Sequence, residues 1–277
     1  MSDSLTIEQV PVGDSSPDGG VVEVWTINRP DKLNALNSNV IAALKEACSA
    51  AESNDGVRVV VIRGAPPPEA AEGERGKPPA FVAGADITEF VGKRSDDIRG
   101  DFEDNAWEAI WNLTIPTIAS IDGFALGGGA EIALSCDIRI ATIRSKLGTP
   151  EINLGLIPGG GGTQRLARLL GYGKALEMVL TGEMIDAAEA HRIGLINHLC
   201  APDELDAMTM ALAHNLGSKS PHTIKAAKRA VRAALERPLA EGIEYEREEF
   251  CALFDTEDKE IGVNAFLARE RPEWQGR

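Results

Sequence analysis

Apolar positions divide the chain into short strand-length runs that alternate with helix-length periods. Residues 5–10 alternate and residues 21–28 form a second run. A hairpin is predicted there, with the turn-rich stretch 11–20 as its loop. Arg29-Pro30-Asp31 breaks the second run. Leu36, Val40, Ile41, Leu44 and Ala47 then recur at helical spacing. They predict a helix capped by Asn37 or Ser38 and ending near Glu52. Asn54-Asp55-Gly56 is a turn signal, and residues 57–62 are an apolar run of the kind expected in a buried strand.

The same reading predicts a helix over 101–113 carrying Phe102, Trp107, Ile110 and Trp111. It predicts a strand over 117–121, a glycine-opened helix over 128–135 and a strand over 138–142. After Pro202 the pattern is helical, over 203–216, 221–235, 239–253 and 257–269. The alternation predicts an α/β fold, with residues 1–200 as one unit and residues 201–277 as a helical region. Residues 65–79 interrupt the pattern. Ala65-Pro66-Pro67-Pro68 and Lys77-Pro78-Pro79 flank a polar segment with too little apolar surface to bury itself, so an exposed excursion is expected there.

Composition narrows the functional classes. The 277 residues are 43% apolar and 26% charged, which fits a globular chain. The net charge of −15 argues against nucleic acid or an anionic membrane as partner. There is no apolar run long enough to cross a bilayer, and the first 28 residues hold no Lys or Arg, unlike a basic leader. Cys48, Cys136, Cys200 and Cys251 stand apart without a C-x-x-C pair. Buried thiols in a reducing cytoplasm are expected, with neither a zinc site nor a disulfide framework. No dinucleotide fingerprint, P-loop or G-x-S-x-G elbow occurs, and His191, His198, His214 and His222 lack metal-ligand spacing. The expected chemistry uses no metal and no cofactor.

Three segments remain as carriers of chemistry: residues 81–87, residues 122–131 and residues 149–162. In the second, a strand runs into glycines that open a helix. Backbone N–H groups at such a start attract negative charge, which makes the Gly128 N–H a candidate oxyanion donor. Glu131 lies one turn later among Ala130, Ile132, Ala133 and Leu134. It reads either as a first-turn acid or as a half-buried carboxyl for proton transfer. Taken alone, Glu151 is a loop acid and Ala83-Gly84-Ala85 a small-residue turn.

At these residues the chain resembles the enoyl-CoA hydratase/isomerase (crotonase) family. The resemblance runs from Asn28-Arg29-Pro30-Asp31-Lys32-Leu33-Asn34-Ala35-Leu36 to Phe254-Asp255-Thr256-Glu257-Asp258-Lys259-Glu260. It includes the pattern from Ile118 through Gly127-Gly128-Gly129 to Cys136-Asp137-Ile138, and Gly159-Gly160-Gly161-Gly162-Thr163-Gln164-Arg165-Leu166. It implies a crotonase (ClpP-like) spiral of ββα units with C-terminal helices that trimerise, often as a dimer of trimers. It also implies an acyl-CoA thioester as substrate. By position it implies Ala85 and Gly128 as paired oxyanion donors, and Glu131 and Glu151 as the two glutamates of the hydratases. Lys32, Leu33 and Ala35 would form the CoA loop, and Ala83, Asp86 and Ile87 would border the acyl-CoA pocket.

Having both glutamates resembles an enoyl-CoA hydratase. The alternatives on this scaffold are an isomerase, another acyl-CoA lyase or hydrolase, and a non-catalytic acyl-CoA-binding or RNA-binding member. Two departures stand out: Leu147-Gly148-Thr149-Pro150 lacks the commoner aromatic before the second glutamate, and the 65–79 excursion is long. Lys219, Lys225, Lys228, Arg229, Arg232 and Arg237 form a cationic run, read as a solvated face or a CoA-phosphate site. By the same resemblance Phe254 and Phe266 close a neighbouring subunit's acyl pocket or pack at a subunit interface.

Overall fold

The structure, a computed structural model, describes residues 4–13, 19–70 and 76–277. Among the described residues, ten strands form two sheets. The larger has the order β1 (Leu5–Pro11), β2 (Val21–Ile27), β3 (Val57–Gly64), β5 (Thr117–Ile121), β7 (Ile138–Thr142) and β10 (His198–Cys200). The smaller has the order β4 (Ala80–Val82), β6 (Phe124–Leu126), β8 (Lys146–Gly148) and β9 (Ile185–Asp186). Apart from the β1–β2 hairpin and the β8–β9 pair, neighbouring strands are parallel.

The chain places one strand in each sheet and then a helix, three times over. β3 and β4 precede α3 (Ala106–Asn112), β5 and β6 precede α4 (Gly128–Ser135), and β7 and β8 precede α5 (Gly162–Leu170) and α6 (Tyr172–Thr181). This is the ββα spiral that the resemblance implies. Before it stands α1 (Ser38–Glu52), and between β4 and α3 lies the short α2 (Ser95–Arg99). Of the two candidate caps for α1, the structure selects Asn37, whose Oδ1 accepts the Val40 N–H at 3.1 Å.

The inner strands of the large sheet, β2, β3, β5 and β7, are buried on both faces, which is why they read as apolar runs, whereas the edge strand β1 is mostly exposed. Val60, Ile62, Ala119 and Ile121 face the main core with Phe81, Leu44 and Ile132. Val59, Val61 and Ile118 face a second core completed by Leu205 and Ala213 of α8 (Leu205–Gly217). Ser120 meets Thr209 of that helix, 3.2 Å between hydroxyl oxygens. The remaining helices are α7 (Ala187–Arg192), α9 (Pro221–Ala233), α10 (Leu239–Ala252) and α11 (Glu257–Ala268).

The single helix expected over 101–113 is divided. A 3-10 turn over Gly100–Phe102 is followed by α3, because Asn105 ends the turn and caps the helix. Its Oδ1 accepts the Glu108 N–H at 2.9 Å and its amide donates to the Phe102 carbonyl at 3.0 Å. Phe102 is therefore off the helix and 40% exposed. Within the 65–79 excursion, residues 66–70 and 76–79 are exposed or half-buried, Ala65 is buried, and 71–75 lie outside the described residues. Cys48, Cys136 and Cys200 are buried as expected, but Cys251 is exposed on α10. The middle of the cationic run is paired within the fold. Lys228 and Arg232 both hold Asp137, at 2.6 and 2.8 Å, and Arg229 holds Glu249. Among the described residues no helix is long and apolar enough to cross a membrane.

Candidate active site

Three adjacent parallel strands of the small sheet, β4, β6 and β8, end side by side. The site is built where the chain leaves them, as is common at the carboxyl ends of parallel strands. β4 continues into 83–85, β6 into Gly127 and α4, and β8 into Thr149 and Glu151. The Gly127 N–H donates to the Gly148 carbonyl at 2.9 Å, which ties the second exit to the third. Gly127 has φ 51 and ψ −127, a backbone that side chains disfavour. A Cβ there would also lie 2.9 Å from Glu151 Oε1.

The two expected donors meet at these exits. Leu36 and Ala85 form a parallel bridge in which the Leu36 N–H donates to the Gly84 carbonyl at 2.8 Å and the Asp86 N–H donates to the Leu36 carbonyl at 2.6 Å. That pattern turns the Ala85 N–H to the opposite side. Gly128 is the first residue of α4, where no intrahelical acceptor exists for its N–H. Among the described residues neither N–H has an acceptor. A Cβ built on Gly128 would stand 3.7 Å from Ala85 N, so the two peptides adjoin.

Glu131, one turn into α4, is 2% exposed. Its Oε1 accepts the Gly162 N–H at 2.7 Å. Burial pushes the carboxyl up to about 7. The Gly162 and Gly160 amides and Arg165 oppose that rise, and Glu151 adds to it. Glu151 is the second residue of a 3-10 turn over Pro150–Leu154, and burial raises its carboxyl as well. Its Oε2 is buried with no partner among the described residues. An acceptor desolvated in this way is costly unless something in the site donates to it.

The binding residues implied by the resemblance lie on two loops laced together. The Ala83 N–H donates to the Leu33 carbonyl at 3.1 Å, and Arg29 donates to the Ala35 carbonyl at 2.6 Å and to Asp86 at 3.0 Å. Lys32 is exposed at the end of a 3-10 turn, and Ile87 is 53% exposed. Asn34, not singled out from the sequence, is the buried hub of this pair. Its amide donates to the carbonyls of Ala65 and Ala80 at 2.9 and 2.8 Å while its Oδ1 accepts the Arg29 N–H. Its φ of 57 is one that Asn tolerates. Trp107 was read only as an apolar position of α3. It donates from Nε1 to the Gly128 carbonyl at 2.9 Å, and its ring lies against Gly160, where a Cβ would come within 2.5 Å of it. Only close packing between distant segments reveals that role. Among the described residues no group of three His, Cys, Asp or Glu side chains could hold a metal ion.

The raised carboxyl of Glu131 has a thermodynamic cost. It titrates at an ordinary 4.5 when unfolded and at about 7 in the fold. In that window the folded protein keeps a proton that the unfolded chain has lost. The penalty is absent below the lower value, grows as pH rises, and is complete above the upper one, at ~3 kcal/mol. Glu131→Gln cannot ionise and can still accept from Gly162. Thermal unfolding is therefore expected to give the variant the higher Tm at about pH 8, with the gap closing by about pH 4.5.

Comparison with known proteins agrees with this architecture. The family model described as enoyl-CoA hydratase/isomerase matches residues 18–277. A Rhizobium meliloti protein named probable enoyl-CoA hydratase is 43% identical over 260 residues, 93% of this chain and 96% of that one. The short-chain-enoyl-CoA hydratase of Clostridium acetobutylicum is 39% identical over 256 residues, 92% of this chain and 94% of that one. The crystal structure of enoyl-CoA hydratase subunit I from Geobacillus kaustophilus superposes with a TM-score of 0.88 at 38% identity, covering 100% of both chains. With a family match spanning every strand after β1, the three strand exits and the C-terminal helices, the chain belongs to the enoyl-CoA hydratase/isomerase family.

Proposed function

We propose that the protein is an enoyl-CoA hydratase, which adds water across the 2,3 double bond of a trans-2-enoyl-CoA to give a 3-hydroxyacyl-CoA. One observation carries the reading: a buried carboxyl, Glu131, and a half-buried one, Glu151, stand at neighbouring strand exits beside two adjoining N–H groups that have no acceptor among the described residues.

The thioester carbonyl accepts from Ala85 and Gly128. As the double bond is attacked, charge moves onto that oxygen. Fixed donors act on this developing charge, each worth ~3 kcal/mol. Glu131 takes a proton from water as the oxygen bonds to C3. Glu151 holds the same water and delivers a proton to C2. One oxygen and two hydrogens enter the product, and no electrons are exchanged. CoA is part of the substrate, and the reaction requires no cofactor. Two carboxyls sharing one water titrate as a pair. Lys32, Leu33 and Ala35 contact the CoA portion, and Ala83, Asp86 and Ile87 border the thioester.

The protein acts as a trimer or a dimer of trimers. Phe250, Phe254, Phe266 and Leu267 on the last helices and their connection are 62, 55, 83 and 74% exposed, which supports burial between subunits.

The hydratase reading is tested by mixing the protein with crotonyl-CoA and following loss of the conjugated absorbance. Mass spectrometry is expected to identify 3-hydroxybutyryl-CoA. Binding of the ester without turnover, or migration of the double bond in longer enoyl-CoAs, would overturn it. Trp107→Phe keeps the ring but loses the bond to Gly128. At ~1 kcal/mol for a neutral hydrogen bond, kcat is expected to fall several-fold with KM little changed, as steady-state kinetics would measure.

A further inference from the structure

Arg165 stands behind Glu131 and has no assigned role. It lies on the first turns of α5, half-buried, and among the described residues no carboxylate is within ion-pair reach of it. Its NH1 donates to the Gly160 carbonyl at 2.6 Å. Its guanidinium lies over the Trp111 ring at 4.8 Å, and Arg232 from α9 lies over the same ring at 4.0 Å. Arg232 is itself tied to Asp137, a carboxylate it shares with Lys228.

A cation taken partly out of water without a paired anion is costly and needs another source of compensation. The charged and titratable groups facing Arg165 are Glu131 from α4, Glu108 from α3, Arg232 from α9, and Cys136 just beyond α4. Burial lowers the Arg165 pKa, while Glu131 and Glu108 work against that fall. Seen from the other side, Glu131 is faced by Glu151, by Arg165 and by the amides of Gly160 and Gly162. Arg165 therefore touches the glycine strip at the Gly160 carbonyl, two residues before the Gly162 N–H that Glu131 accepts.

We propose that Arg165 is a positioning residue for Glu131: it fixes the 159–162 glycine strip that hydrogen-bonds the carboxylate, and it presents a positive charge to that carboxylate. The side chain has a mechanical role through Gly160 and an electrostatic role through space. In the second role it favours the ionised carboxylate that a base requires, against the burial that opposes ionisation. The Trp111 ring contacts the guanidiniums of both Arg165 and Arg232, the latter from α9. The C-terminal helices are thereby connected to the base. The inference rests on Glu131 acting as the base.

Arg165→Gln and Arg165→Lys separate the two roles, because Lys keeps the charge and Gln does not. In Arg165→Gln the acid limb of kcat/KM for crotonyl-CoA is expected to move up by about half a pH unit. That is about a threefold loss on the acid side and little loss on the alkaline side. Arg165→Lys should restore the limb. A limb in Arg165→Gln that coincides with wild type, or one displaced equally in both variants, would overturn the proposal.

A second readout does not need turnover. Infrared titration of the unliganded protein should resolve a protonated-carboxyl band that Glu131→Gln abolishes, and that band should persist to higher pH in Arg165→Gln. If the wild type fails to hydrate any enoyl-CoA and the band still shifts, the hydratase reading fails and the Arg165–Glu131 coupling stands. If the band does not shift, the coupling fails whatever the activity.

Discussion

Glu131→Gln is expected to lower kcat for crotonyl-CoA hydration by about 10²–10⁴-fold, the range typical of a lost general base. Glutamine fills the same space and can accept the Gly162 N–H that now meets Oε1 at 2.7 Å, so the fold loses nothing. It cannot take a proton from water. KM is expected to change little, because Ala85, Gly128 and the two laced loops remain. The same substitution removes a carboxyl that burial has raised to about 7. The variant should therefore be slower and, at neutral pH and above, more stable. Such opposite movements are a signature of an active-site group held against its own preference. A variant that was slow because it misfolded would lose stability instead.

Gly129→Ala should unfold the protein's centre. A Cβ at Gly129 would overlap the Val82 carbonyl oxygen and come 2.6 and 2.7 Å from Val82 Cβ and Cγ1. The obstruction is β4 backbone, which cannot rotate aside as a flexible side chain could. β4 in turn pairs with β6, the strand that leads into α4. Relief requires separating α4 from the small sheet, and overpacking of this kind costs about 3 kcal/mol or more. Guanidinium unfolding should give a clearly lower midpoint, or the variant should fail to accumulate as folded protein. Gly171→Ala is a useful contrast. A Cβ there meets nothing within 4 Å, so its φ of 79 is the main source of strain.

The large sheet was legible because its inner strands are buried on both faces and its edge strand β1 alternates. Residues 117–121 appear as an apolar run of the length of β5, and residues 57–62 as one that covers all but the last two residues of β3. The long helices were legible for the same kind of reason, from a repeated apolar face with an Asn or Ser at its start. The small sheet was not. β4, β6 and β8 have three residues each, too short for any period to register. Those strands are the ones that set the site. Gly128 could be suspected from the glycine run, since a helix N-terminus is a local property. Ala85 could not, because its N–H is freed by a bridge to Leu36, a pairing that local sequence does not encode. The helix over 101–113 was drawn too long because Asn105 lies inside an apolar period and acts as a cap. Trp107 and Arg165 acquire roles only through packing against glycines far along the chain.

The central claim is that one water, held by Glu131 and Glu151, enters the product at C3 while a proton reaches C2. The most direct measurement is turnover of crotonyl-CoA in water enriched in heavy oxygen and deuterium, with the label located by mass spectrometry. The account predicts one heavy oxygen at C3 and deuterium at C2 in wild type, and a rate of labelling cut severely in both Glu131→Gln and Glu151→Gln. Consumption of an enoyl-CoA without heavy oxygen in the product, or full labelling in either variant, would contradict it.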